Sequence, residues 1–297
     1  MTILVNDMCG ERRLAFMDGD RPEKIIICRD LALNFGDIVE ARITAFQPLL
    51  KGYFAETDRG AVFIPTTQAL TDGQVVRAQI VKEARPGKDA TAHLISDAVL
   101  PPEIKPDKDI SALEMDEIIA EAMAGTVPFG KGACLRIERT QVAWTIDVDS
   151  GQSREPLSLI NQLAVREIAR QTALKNMGGL ILVDFAGSKR GKAGKILESE
   201  LQQALKEDAL VSACRPTPAG LFEIERRRER ADLWTLCAPN NPVAVFYRVR
   251  RAIEASRSGN PVVRVAPAVL ALLRQAGIRA RVEPLFDRPV ADFEIEV

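Results

Sequence analysis

The sequence predicts a multi-domain protein of mixed α+β and α/β class. A small β-barrel is inserted in an α/β core, and a small α/β unit follows at the C-terminal end. Three observations predict it. Residues 36–98 carry about five short alternating strands punctuated by Gly and Asp, and residues 111–238 alternate strand and helix patterns. The 297 residues also suffice for two or three domains of about 100–150 residues each.

In chain order, residues 1–35 read as a hairpin, two short strands around MDGDRP, with Asp18-Gly19 between the apolar stretches LAF and IIIC. GDIVEARITAF, KGYFAET, GAVFIPT, GQVVRAQIVKEA and TAHLISD then form the strands of 36–98, the pattern of an oligonucleotide-binding type barrel. VLPPEIKPDKD holds three prolines and reads as a linker over 99–110. Ser111 and Glu114 form a capping box for a helix ending before Gly125. ACLRIER and QVAWTIDVD make a hairpin, and a long helix from about Pro156 to Met177 stops at Gly178-Gly179. The apolar strand LILVDF, a helix over 193–208, the strand LVSAC and an arginine-dense helix GLFEIERRRER complete 111–238. Residues 239–297 alternate helix and strand as a separate small unit, after an aperiodic join at APNNP.

Composition excludes several chemistries. His93 is the single histidine, so two-His metal sites and most catalytic triads are absent, and its place in TAHLIS reads as an ordinary strand residue. Cys9, Cys28, Cys134, Cys214 and Cys237 are an odd number with no CxxC pair, so neither a zinc ribbon nor a disulfide framework is expected. The start lacks a signal-peptide pattern and no apolar run reaches the ~18–20 residues of a membrane span, so a cytoplasmic protein without membrane contact is expected. Charge is uneven. Residues 1–150 hold 17 Lys/Arg against 24 Asp/Glu, and residues 151–297 hold 23 against 17. The basic half suits a polyanion surface, although a solvated exterior produces the same tilt.

The chemistry concentrates between Gln141 and Phe185. Period-two alternation puts Thr145, Asp147 and Asp149 on one strand face and Trp144, Ile146 and Val148 on the other. A strand–helix–strand unit with a right-handed crossover makes the next strand parallel, so Asp184 also lies at a carboxyl end, where open α/β sheets place ligands. Three such acids repel unless a cation or proton lies between them, and oxygen-only ligands favour Mg²⁺ or Mn²⁺. An acid ending a strand can instead simply cap a turn. FAGSKRGKAGK is not a P-loop, because Gly187 and Gly191 enclose three residues instead of four and Ala193 replaces the Ser/Thr. Its Lys189, Arg190, Lys192 and Lys195 remain candidate phosphate contacts. The Asp147-Val-Asp149 pattern also admits a DxD-type phosphatase, which Ser150-Gly151 fits loosely.

TIDVDSG, REIARQ in the following helix, MGGLILVDF and AGLFEIERRR together resemble the catalytic core of the ribonuclease E/G family over residues 111–230. Four motifs recur in the family's order and spacing, and residues 36–98 look like the family's S1 RNA-binding barrel. The resemblance implies that Asp147 and Asp184 are the metal-binding carboxylates. Asp149 stands where the family usually has Asn, as a catalytic position whose altered charge could add a ligand. Phe54 and Phe63 match S1 aromatics that contact single-stranded RNA, and Lys88 matches a basic contact; alternation alone also permits both rings in the barrel core. Arg226 and Arg228 match arginines of the Gly–Leu–x–Glu motif, on an RNA-facing or merely solvated surface.

Two departures follow from the same resemblance. The long segment that senses an RNA 5′-monophosphate is replaced by the Pro-rich linker, and the zinc-linking CxxC is missing. A minimal member is therefore expected, without a zinc-linked dimer and with its oligomeric state left open. The implied activity is Mg²⁺-dependent endonucleolytic cleavage of single-stranded RNA, with 5′-phosphate products. The rival readings are a catalytically silent RNA-binding protein of the same fold and the DxD phosphatase.

Overall fold

The computed structural model describes residues 1–85, 87–96, 104–187, 191–256, 261–278, 280–286 and 288–296. The chain divides into two compact units: Met1–Thr2 with Ala15–Ile25 and Asp116–Asp232, and Ile3–Leu14 with Ile26–Met115 and Leu233–Val297. No described helix is long and apolar enough to cross a membrane.

The chain opens with three strands where the sequence predicts two: β1 (Thr2–Met8), β2 (Glu11–Asp18) and β3 (Arg21–Arg29). The unforeseen turn is Cys9-Gly10, with φ of 55° and 75°. Tight hairpins want positive φ at both central residues, which Asn-Gly advertises and a cysteine conceals. Gly19-Asp20 makes the second turn, one residue beyond the Asp18-Gly19 that the sequence suggests.

Strands β4 (Ile38–Gln47), β5 (Gly52–Thr57), β6 (Gly60–Pro65), β7 (Val75–Lys82) and β8 (Ala90–Leu94) form a closed barrel in the order β4-β5-β6-β8-β7. Its interior takes alternate residues: Val39, Ala41 and Ile43, then Tyr53 and Ala55, Val62 and Ile64, Ala78 and Ile80, Ala90 and Ala92. The five alanines suit the narrow lumen of so small a barrel. Residues 97–98 of the predicted barrel and 99–103 of the predicted linker lie outside the described residues. The remainder carries β9 (Lys108–Asp109), paired in parallel with β1.

Helix α1 (Ala112–Ala122) begins at the predicted capping box. The Ser111 N–H donates to Glu114 Oε2 (2.8 Å) and the Glu114 N–H to Ser111 Oγ (3.2 Å), and these bonds hold the Glu114 carboxyl below its usual range. The chain continues through β10 (Thr126–Gly130), β11 (Ala133–Arg139), β12 (Ala143–Asp149), α2 (Leu157–Leu174), β13 (Gly179–Asp184), α3 (Gly191–Leu205), β14 (Val211–Pro216) and β15 (Phe222–Arg226). The strands form one sheet ordered β10-β11-β12-β13-β15-β14. Within it β12 and β13 pair in parallel across α2, and the other neighbours are antiparallel.

The arginine-dense segment expected as a helix is thus strand β15. Phe222, Ile224 and Arg226 are buried while Glu223 and Glu225 are not, so the period is two, and burial of Phe222 and Ile224 overrides the helical look of the charges. The Arg226 guanidinium is buried too. It donates to Asp208 Oδ2 (2.7 Å), Asn176 Oδ1 (3.0 Å) and the Met177 carbonyl (2.9 Å). Arg228 donates to the Gly178 carbonyl (2.8 Å) and lies so close over Gly179 that a Cβ there would meet its guanidinium; Gly179 also has φ +93°. Both arginines secure the turn that delivers β13.

One end of α2 holds a buried polar chain. Glu167 pairs with Arg170 (2.6 Å) and with Arg21, accepts from Gln171 Nε2 (2.9 Å), and the fully buried Lys175 donates to Gln171 Oε1 and to the Ala122 carbonyl (2.6 Å). Burial, with nearby Arg170, pulls the Lys175 ammonium down to about 8.

The C-terminal segment contains α4 (Leu233–Cys237), α5 (Pro242–Ser256), β16 (Val262–Val265), α6 (Pro267–Gln275), β17 (Arg281–Pro284) and β18 (Phe293–Glu296). Its sheet runs β17-β16-β18 over a core of Val245, Phe246, Val249, Val263, Val265, Val269 and Leu273.

Two stability outcomes follow. Arg226→Ala strands Asp208 and two further acceptors and should cost about 3 kcal/mol in equilibrium urea unfolding, as expected when one partner of a buried ion pair is removed. Between about pH 8 and about pH 10 the unfolded chain keeps the Lys175 proton that the folded chain releases, so this group makes folding more favourable as pH rises. Wild type should gain about 1–2 kcal/mol over that window relative to Lys175→Met; parallel pH profiles of the two would contradict the assignment.

Candidate active site

Parallel pairing of β12 with β13 sets the site. The register runs Thr145 opposite Leu182, Ile146 opposite Val183, and Asp147 opposite Asp184. Ile146, Val148, Ile181 and Val183 are buried, so the alternating partners Asp147 and Asp184 emerge side by side on the other face. Strand β11 extends the row, because Arg136 is the antiparallel partner of Asp147. Arg136, Asp147 and Asp184 therefore line up across three adjacent strands.

Asp184 is held at both ends of its strand. Arg226 and Arg228 anchor the turn before β13. Beyond it the buried Asn161 of α2 grips Ala186, donating to its carbonyl (3.0 Å) and accepting from its N–H (3.1 Å). A helix side chain thus fixes the backbone two residues past the acid.

Asp149 closes β12, one pleat beyond Asp147. Its Oδ2 accepts from Arg136 Nε (3.0 Å) and Nη2 (2.8 Å), and its Oδ1 accepts from the Gly151 N–H (2.8 Å). These bonds hold the Asp149 carboxyl below its usual range and the Arg136 guanidinium above its own. Among the described residues no group of three or more His, Cys, Asp or Glu gathers as a metal centre. Asp147 and Asp184 offer two carboxylates at one register, a donor set of hard oxygens that suits a cation completing its shell with water and substrate oxygens.

The other sequence-selected residues fall in three places. Lys189 and Arg190 lie outside the described residues, and Lys192, like Lys195, is exposed in the first turns of α3. Arg226 and Arg228 are engaged in the β13 turn as described. On the barrel, Phe54 and Phe63 are register partners on β5 and β6, with ring centroids 5.4 Å apart. Their chain neighbours Tyr53, Ala55, Val62 and Ile64 fill the lumen, so the two half-buried rings form a pair on the outer face. Gly52 permits this, since a Cβ there would meet the Phe63 ring at 2.6 Å. Lys88 is exposed, bridged to Arg85 at a turn between β7 and β8. His93 is an exposed β8 residue opposite Gln79.

Arg136 is the site residue that sequence reasoning missed. The signal was present: in ACLRIER it alternates with Leu135 and Ile137, and a tight hairpin to β12 puts it opposite Asp147.

Comparison with known proteins agrees with this architecture. A Ribonuclease E/G-like chloroplastic protein of Arabidopsis thaliana is 33% identical over 126 residues, covering 39% of this chain and 13% of that protein. A ribonuclease E of Synechocystis is 33% identical over 139 residues, covering 43% and 21%. A ribonuclease G of Salmonella typhimurium is 24% identical over 215 residues, covering 60% and 44%. The chain thus spans less than half the length of these relatives. Residues 78–229, about half the chain, match the sequence profile of the Ribonuclease E/G family, and the match contains β10 to β15, Asp147 and Asp184. The chain belongs to the ribonuclease E/G family.

Proposed function

We propose that this chain is a Mg²⁺-dependent endoribonuclease that cuts single-stranded RNA in cytoplasmic RNA processing or turnover. The observation that carries the reading is the placement of Asp147 and Asp184 at one register of adjacent parallel strands, within the segment that matches the family. Two carboxylates so placed repel each other unless a cation lies between them. Their oxygen-only donors fit Mg²⁺ or Mn²⁺, and the row offers no sulfur or imidazole for zinc. When bound, such an ion supplies positive charge to the scissile phosphate and makes water a better nucleophile near neutral pH.

The chain's own groups do the remainder. Asp147 and Asp184 hold the cation, with the Asp184 backbone fixed through Asn161 and the Arg226–Arg228 turn. Hydrolysis that breaks the bond between phosphorus and the 3′-oxygen leaves a 5′-phosphate on one product and a 3′-hydroxyl on the other. On the barrel, the outward Phe54–Phe63 pair gives bases a stacking surface that tolerates sequence, and Lys88 supplies charge for the backbone. Lys192, with Lys189 and Arg190 before it in sequence, neutralises further phosphates, so binding weakens as salt rises. The expected partner is single-stranded RNA.

The test is a fluorescently labelled, AU-rich single-stranded RNA with a 5′-hydroxyl, incubated with the protein and Mg²⁺. Internal cleavage should occur and should vanish with EDTA and in Asp147→Asn and Asp184→Asn, which retain RNA binding. Intact RNA that nevertheless stays bound by wild type would replace this reading with that of a non-cleaving RNA-binding protein. Separately, Phe54→Ala and Phe63→Ala should each weaken single-strand binding by about 1–3 kcal/mol while the far-ultraviolet dichroism stays unchanged. Unaltered affinity in both variants would remove the outer-face pair from the RNA path.

A further inference from the structure

We propose that Arg136 is a positioning residue that keeps the Asp149 carboxylate out of the cation's ligand set, leaving a site of two carboxylates instead of three. The inference rests on the metal-dependent reading above and deepens it.

The geometry is specific. Arg136 sits opposite Asp147 in the β11–β12 register, yet its guanidinium reaches one pleat along the strand to Asp149. Nε and Nη2 both donate to Oδ2, while Oδ1 takes the Gly151 N–H. Both Asp149 oxygens therefore accept hydrogen bonds, and a full positive charge offsets the carboxylate. An exposed pair of this kind adds only about 0–1 kcal/mol to stability, and the Arg136 side chain is 59% exposed. Holding the fold together is a poor explanation for it.

Charge balance at the site is a better one. Without Arg136, three carboxylates on two adjacent strands would face one divalent cation. A third anionic group would bind the cation more tightly and repel the phosphate that must approach it, which raises affinity for metal while hindering RNA. With Arg136 in place, its positive charge offsets that of Asp149. The sequence admits Asp149 as a further ligand; in the structure its bonds go to Arg136 and Gly151.

The experiment uses the full chain and Mn²⁺ as the probe, with affinity measured by electron paramagnetic resonance of the free ion and cleavage measured in parallel. Four proteins are compared with wild type: Asp147→Asn, Arg136→Gln, Asp149→Asn and the double variant Arg136→Gln/Asp149→Asn. Arg136→Gln should bind Mn²⁺ more tightly, by about tenfold, and raise the KM for RNA. Asp149→Asn leaves the Arg136 charge uncompensated opposite Asp147 and should weaken Mn²⁺ binding by a similar factor. The double variant should return Mn²⁺ affinity to near wild type, a rescue that a purely structural role for Arg136 would not produce. Mn²⁺ affinity that is lost in Asp147→Asn but unchanged in Arg136→Gln would overturn this inference and spare the metal-site reading. Mn²⁺ binding that is weaker in the double variant than in wild type would also overturn it, by making Asp149 a ligand. Absence of Mn²⁺ binding in wild type would overturn the metal site and the role of Arg136 together.

Discussion

Two like charges held at one register of a sheet are an electrostatic cost that the surrounding structure must maintain. Asp147 and Asp184 are such a pair, brought together by the parallel pairing of β12 and β13. Parallel neighbours require a crossover, which α2 provides, and the return into β13 requires a sharp turn. Gly179 takes that turn at positive φ, directly under Arg228, while the buried Arg226 ties Asn176, Met177 and Asp208 into one knot. Past the acid, Asn161 fixes Ala186. Helix, turn and clamp all restrict where Asp184 can go, so the repulsion is not relieved by drift of the strand end.

Charge compensation continues along the same face. Arg136 enters the row from β11 and turns to Asp149, which also accepts a backbone N–H, while Asp147 has Asp184 as its register neighbour on β13. Neighbouring residues of identical type thereby acquire distinct electrostatic roles. The barrel solves another problem with the same period-two logic. Alternate residues, five of them alanine, fill its lumen, while Phe54 and Phe63 pair on the outer face with the Phe63 ring over Gly52.

Much of this was legible from residue patterns because the patterns are local. The capping box at Ser111 and Glu114, the alternation in TIDVD, and the five barrel strands each reflect a period or a short-range bond that needs no distant partner. The misreadings have equally local causes. Cys9 concealed a turn that Asn or Gly would have announced, and the arginines after Ile224 suggested a helix where buried Phe222, Ile224 and Arg226 demand a strand. For β15 the deciding energy came from burial against other elements, which a local pattern does not contain.

The sequence by itself determined that acids would stand at the carboxyl ends of strands and that one-sided alternation would build a small barrel. It also carried the ordered motifs of the ribonuclease E/G family. Only the tertiary structure decided which acids share a register, which one is paired with arginine, and which face of the barrel the phenylalanines occupy. The same holds for Arg226, which the fold spends on a turn. The physical reason is that register and side-chain pairing join residues far apart in the chain, as Asp147 with Asp184 and Arg226 with Asn176, and are set by packing between elements.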